Sequence, residues 1–264
     1  MPIVTISRGS FYRGKEVAEK LAQKLQFECI SRDSVVEQLG EFQLPEIRLV
    51  RGLNDAVSIL ERFSYGKERF IASIRWALLE HFCNDNIIYH GLAGHYFVKD
   101  ISHVLKVRII ADLDSRVQEE MERENISARE ARSILKKDDE ERRKWSLYLY
   151  GIDTWNPDQY DMVLNIGAIS VDEAVDIIEN TIHFSRFQTT PDSQSKIENL
   201  ALAAKIQSSL FEYPTAKVSA RSGVVSVTLK APLAQKQDIV ATVENIVKKF
   251  TEVKNIDIRF EPYL

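Results

Sequence analysis

IVTISRGSFYRGKEVA, residues 3–18, is the stretch on which the reading of this chain turns. Its first four residues, Ile3 to Ile6, are all β-branched and read as a buried strand. Val17, Ala18, Leu21, Ala22 and Leu25 then recur at helical spacing, so a helix is expected from about Gly14 to Leu25. Between strand and helix, Gly9, Gly14 and Lys15 fit the spacing G-x-x-x-x-G-K, with Glu16 where the full motif has Ser or Thr. A loop running from a strand into a helix N-terminus points several backbone N–H groups at one place. With the helix dipole and a Lys, that place attracts phosphate. An ordinary βα turn with two glycines and a Lys fits the same residues.

The chain has 264 residues, enough for a main domain and a smaller one. Net charge is −4, so no global basic field recruits nucleic acid or anionic lipid, and any phosphate site must be a local concentration of Arg and Lys. Cys29 and Cys83 are the only cysteines; they form no CxxC and no disulfide framework, as in a reducing compartment. No apolar run approaches the roughly 18 residues needed to span a bilayer. The sequence enters its first strand without the features of a signal peptide. A cytoplasmic protein is expected.

Outward from the opening loop, strands and helices alternate. Phe27–Ile30 reads as a second strand, and Ser31, Asp33 and Ser34 offer caps for a helix over Val35–Leu39. Pro45 interrupts, and helices are expected at Asn54–Phe63 and Lys67–Phe82. Short strands follow at Asn86–His90 and Val104–Ala111, ending at Gly91 and Asp112. Asp114 is expected to cap a polar helix to about Glu124. Capping boxes at Ser127–Glu130 and Ser170–Glu173 open helices to Tyr150 and to about Phe187, with a strand at Met162–Ile166 between them. Such alternation implies an α/β fold: a mostly parallel sheet covered by helices, with ligands at the carboxyl ends of its strands.

Residues 188–195 are polar, contain Pro191 and lack periodicity, as a linker does. Beyond them the order changes to a helix (Lys196–Phe211), two strands (Ala216–Ala220, Val224–Leu229) joined at Ser222-Gly223, a helix (Gln235–Phe250) and a strand (Ile256–Phe260). This αββαβ order marks a small α+β module. The expected division is 1–187, a linker at 188–195, and 196–264.

Phosphoryl transfer needs positioning and positive charge more than covalent chemistry. The region from Arg116 to Lys144 holds nine basic residues, Arg116, Arg123 and Arg142 among them. Arg suits the role because its planar fork holds phosphate oxygens bidentately. The same region carries as many carboxylates, so a solvated helix laced with ion pairs fits it too. His90 and His95 flank the Gly91–Gly94 turn without a second ligand set at metal spacing, and a structural or surface role is expected for both. Trp76, Trp145 and Trp155 are expected to anchor packing.

ISRGSFYRGKEVAEKLAQKL, IIYHGLAGHYFVKD and the stretch from Val107 to Ala174 resemble the cytidylate kinase-like family. The succession Asp114-Ser115-Arg116, Arg123, Asp139 with Arg142, Tyr150-Gly151, Trp155 and Tyr160-Asp161 carries most of that resemblance. It implies a P-loop nucleoside monophosphate kinase fold over 1–187, with ATP and Mg²⁺ as cofactors and CMP or a related nucleotide as acceptor. Carried over by motif, ATP would meet Arg8, Gly9, Ser10, Gly14, Lys15 and Glu16. Lys15, Arg116 and Arg142 would be catalytic, with Arg123 a further candidate, and Arg32 and Asp33 would lie at the acceptor. No metal ligand is assigned; Asp33 and Asp112 could serve a metal or acceptor, or be only a helix cap or strand-end residue. The chain departs from the family at Phe11, Tyr12 and Arg13, where small residues are usual, at Glu16, at Leu92 after Gly91, and at Ser31 before Arg32. Those departures leave open a catalytically degenerate nucleotide sensor or an interaction protein. Residues 196–264 resemble a BON domain, which implies ligand binding; a docking or dimerisation module, with a homo-oligomer or protein partner, is the alternative.

Overall fold

The computed structural model describes residues 2–9, 13–40, 60–91, 93–230 and 235–261. The helix expected over 54–63 falls mostly outside them, as do Ser10, Phe11, Tyr12, Pro45 and Leu92. The chain divides into two compact units, one drawing on residues up to Val35 and on Asn84–Thr190, the other on 36–40, 60–83 and 191–261.

The first unit holds a five-stranded sheet in the order β2-β3-β1-β4-β5. Its strands are β1 (Ile3–Arg8), β2 (Glu28–Ser31), β3 (Ile87–His90), β4 (Val104–Ile110) and β5 (Met162–Asn165), and every pairing is parallel. β1 and β3 are buried almost throughout, as parallel strands covered on both faces must be. Register sets Ile6 beside His90 and Ser7 beside Arg108. All five strands therefore deliver their carboxyl ends to one rim. The order reverses around β1, which puts the crevice for a ligand at Arg8 and Gly9.

Helix α1 (Arg13–Leu25) covers one face with Val17, Ala18, Leu21 and Ala22, packed among Val4, Ile6, Ile88 and Val107. The helix Val171–Ile182 adds Ala174, Val175 and Ile178 to the same core. Each fully buried Val, Leu or Ile stabilises by about 1.5–3 kcal/mol. Lys20–Asp172 (2.8 Å) and Lys24–Asp176 (2.6 Å) tie the two helices at the surface, a small addition because both pairs are exposed.

Both capping boxes form as expected, at Ser127–Glu130 and at Ser170–Glu173. The cap of the helix Leu113–Glu124 is Asp112, not Asp114: the extended residue whose carboxylate accepts from Ser115 N (2.8 Å) is the one before the helix. Asp114 lies inside the first turn and pairs with Arg132 at 2.5 Å. The helix expected to reach Phe187 stops at Ile182 and a 3-10 turn spans Ser185–Phe187. Residues 191–195, read as irregular, are the first turns of the helix Pro191–Ser209. Proline fits there because the first helical N–H has no partner to lose.

In the second unit, the helix Gly66–Phe82 lies along Pro191–Ser209, with Gln194 donating to Cys83 O (3.0 Å) and Arg69 Cζ 3.9 Å above the Phe211 ring. β6 (Lys217–Arg221) and β7 (Val224–Lys230) form an antiparallel hairpin through Ser222 (φ 51°) and Gly223 (φ 85°), the two positive φ values that a tight hairpin requires. β8 (Asn255–Glu261) joins β7 in parallel after the helix Lys236–Val247 crosses over. Ile206, Leu210, Val225, Val227, Val243 and Val247 close its core. The αββαβ order is thus observed.

Candidate functional site

Arg8 ends β1 at the carboxyl rim of the sheet, Gly9 follows it, and α1 starts at Arg13. Ser10 lies outside the described residues, but the two glycines that bound the loop are packed tightly. A Cβ on Gly14 would come within 2.7 Å of Arg8 Cδ and 2.8 Å of Arg8 Cβ, so the missing side chain lets Arg8 lie across the start of α1. A Cβ on Gly9 would stand 2.8 Å from Asp139 Oδ1 and 3.5 Å from Arg116 Nη1. Two side chains from distant helices, Leu113–Glu124 and Ala128–Tyr150, therefore reach the loop.

Arg116 is 9 % exposed and donates to Asp139 Oδ2 at 2.5 Å, while its Nε is buried without a hydrogen-bond partner. Such a guanidinium has donor capacity left. Arg142, one turn beyond Asp139, has its pKa lowered, first by burial and also by the charge of Arg32, with Asp138, Asp139 and Asp33 opposing. Arg8 is pushed down to about 10, again by burial first and then by Arg142, with Asp33 opposing. Arg32, at the start of the helix after β2, has Nη2 buried without a partner and Cζ 5.9 Å above the Trp145 ring. Gly91 makes room for it: a Cβ there would lie 2.9 Å from Arg32 Cβ and 2.6 Å from Tyr89 Oη. Asp33 is mostly exposed and 3.5 Å from Arg32. Arg8, Arg32 and Arg142 thus form a partly desolvated cationic group whose members repel one another.

The Lys15 side chain is exposed and stands 3.5 Å from Glu19. Glu16 pairs with Arg13 (3.0 Å) and Lys20 (3.5 Å), and Arg13 also donates to Glu119 (3.0 Å). Of the basic residues in the Arg116–Lys144 region, Arg116 and Arg142 turn inward. Arg123 is paired at the surface with Glu120 and Glu124, and Arg143 with Asp153, so the solvated-helix reading holds for these. Sequence reasoning gave Asp139 no role of its own, and no local pattern could have found its contact with Gly9.

His90 and His95 are buried, in keeping with structural roles. Burial lowers the pKa of both, reinforced at His90 by Arg8 and at His95, which falls to about 4, by Arg108 and Lys106. The His95 ring lies 4.7 Å from the Tyr160 ring, tilted by 44°. Tyr160 donates to Thr154 O (3.0 Å), and Arg108 to Ser7 Oγ and Tyr160 Oη (both 3.4 Å), a polar layer that backs the end of β1. Among the described residues, no group of three or more His, Cys, Asp or Glu side chains could hold a metal ion. Nor is any described helix long and apolar enough to cross a membrane.

The sequence pattern of the cytidylate kinase-like family matches residues 3–168. The chain belongs to the cytidylate kinase-like family. Its kinase-like part is similar to a cytidylate kinase of Archaeoglobus fulgidus, 26 % identical over 179 residues that cover 65 % of this chain and 89 % of that protein. A crystal structure of an uncharacterised protein from Eubacterium ventriosum shares the fold, with a TM-score of 0.52 at 22 % identity, covering 69 % of this chain and 97 % of that one. In this kinase-like fold Arg8, Gly9 and Gly14 lie with the inward arginines at one rim of the sheet.

Proposed function

We propose that the protein is a nucleoside monophosphate kinase that moves the γ-phosphoryl group of ATP to CMP or a related acceptor. One observation carries this reading. At the end of β1, burial and then the charge of Arg142 hold the pKa of Arg8 down, and burial with the charge of Arg32 does the same to Arg142. Asp33, Asp138 and Asp139 only partly offset that burial, and a phosphate dianion would relieve both the desolvation and the repulsion of the group.

In this reading Arg8, Gly9, Ser10, Gly14, Lys15 and Glu16 meet the ATP phosphates, and Arg32 and Asp33 meet the acceptor. Arg116 and Arg142 bear on the moving phosphoryl group, and Lys15 swings from Glu19 toward its oxygens. Mg²⁺ is commonly bound through one or two carboxylates together with substrate phosphates. Asp139, beside Gly9, is a suitable carboxylate, and the ion would neutralise charge on the phosphates. We take 1–187 as the kinase domain, 188–195 as its link to the rest, and 196–264 as a BON-like module for assembly or ligand binding, in a cytoplasmic protein. The αββαβ order supports that last assignment.

The experiment is ADP formation with CMP, dCMP, UMP and AMP, against Lys15→Ala as control. Turnover with one acceptor, lost in the control, is expected; no turnover above the control refutes the assignment. A second reading, nucleotide sensing without turnover, is favoured by Lys15 turned toward Glu19 and by the carboxylate of Asp139 lying at Gly9. Calorimetry then shows ATP or CMP binding where the kinase assay shows none, and absence of any nucleotide affinity refutes both.

A further inference from the structure

Within the second unit, a cavity of about 440 Å³ lies between the helices Gly66–Phe82 and Pro191–Ser209 and the Ser222-Gly223 turn. That volume is within the range of small-molecule sites. The turn is held to the helix by Asn199 Oδ1, which accepts from Ser222 N at 2.9 Å, so the walls belong to one packed body. Trp76 and Leu202 supply apolar surface. Three acidic residues, Glu80, Glu198 and Glu252, belong to its wall with one lysine, Lys205, which stands 4.0 Å from Glu80. Glu198 accepts only a neutral donor, Gln194 Nε2 at 3.0 Å, among the hydrogen bonds described.

The charge imbalance is felt inside the cavity. Cys83, also in its wall, has its thiol pushed up to about 11, first by burial and then by Glu198 and Glu80. A thiol held in that protonated form is no nucleophile, which leaves binding as the chemistry on offer. Carboxylates repel a phosphate or a lipid headgroup anion. They attract an ammonium, and an indole face adds a cation–π attraction.

We propose that this cavity binds a small organic cation: an alkylammonium with an apolar body, of the linear polyamine type. The charged nitrogen lies among Glu198, Glu80 and Glu252 and the methylene chain runs against Trp76 and Leu202. This site is independent of the nucleotide site and of the reading given to it.

Calorimetric titration of the full chain with spermidine, at about 150 mM salt to screen diffuse attraction, tests it. One saturable site is expected. Affinity falls roughly tenfold or more in Glu80→Gln/Glu198→Gln, binding disappears when Ala201→Trp fills the cavity, and a neutral diol of equal length does not bind. Absence of a saturable site, equal affinity in the charge variant, or equal binding of the diol overturns the proposal. Glu80 and Glu198 are exposed, so the charge variant decides the matter even if Ala201→Trp does not fold.

Discussion

Acid should loosen this protein through one ring. His95 is 3 % exposed, its Nε2 is buried without a hydrogen-bond partner, and it faces Tyr160 with Arg108 and Lys106 nearby. Its pKa falls from 6.5 to about 4 in the folded chain. A folded-state pKa below the unfolded value means that the unfolded chain takes up a proton that the folded chain refuses. Stability is therefore full above the unfolded pKa and declines as pH falls through the interval down to the folded one. Each unit is worth about 1.4 kcal/mol, so the limiting loss is about 3 kcal/mol, and near pH 5 it is about 2 kcal/mol. Urea unfolding of the wild type and of His95→Gln at pH 7.5 and 5.0 measures the difference. A Trp76→Phe background leaves Trp145 and Trp155, in the same unit as His95, to report fluorescence. Between the two pH values the wild type should lose about 2 kcal/mol more than the variant. His90 and His103 are also buried with lowered pKa values, but they are present in both proteins and cancel. Equal losses, or a folded-state titration of the His95 ring near its ordinary value by NMR, refute the reasoning.

Asp139→Ala strips the charge partner from Arg116 while leaving that guanidinium buried; a loss of about 3 kcal/mol in thermal or urea stability is expected, with part of it recovered when ATP is added. Gly223→Ala forces a side chain into φ 85° and against Lys254 Cγ (2.9 Å) and Glu252 O (3.0 Å), so the second unit should lose about 1–2 kcal/mol by urea unfolding, with nucleotide affinity unchanged.

Local chemistry was legible wherever one stretch of chain settles it. The capping boxes at Ser127 and Ser170 and the Ser222-Gly223 hairpin each depend on residues a few positions apart, and all three form. Element ends were less legible, because a cap depends on backbone conformation. Asp112 and Asp114 are equally good capping residues, and only the extended backbone at Asp112 selects it. Within the site, Arg116 and Arg142 stood out by residue type, but so did Arg123 and Arg143. Which of them turn inward depends on partners such as Glu120 and Asp153 and on the packing of two helices.

From sequence alone came the family, the βα alternation and the strand–loop–helix at Gly9, because motif spacing and hydrophobic period are properties of neighbouring residues. Tertiary structure alone decided that Asp139 lies against Gly9, that Arg8 crosses Gly14 and shares its field with Arg142, and that Lys15 turns to Glu19. Two of them, Asp139 with Gly9 and Arg8 with Arg142, join residues far apart in the chain. Burial and charge at such a meeting place depend on how sheet and helices close together, which no single stretch encodes.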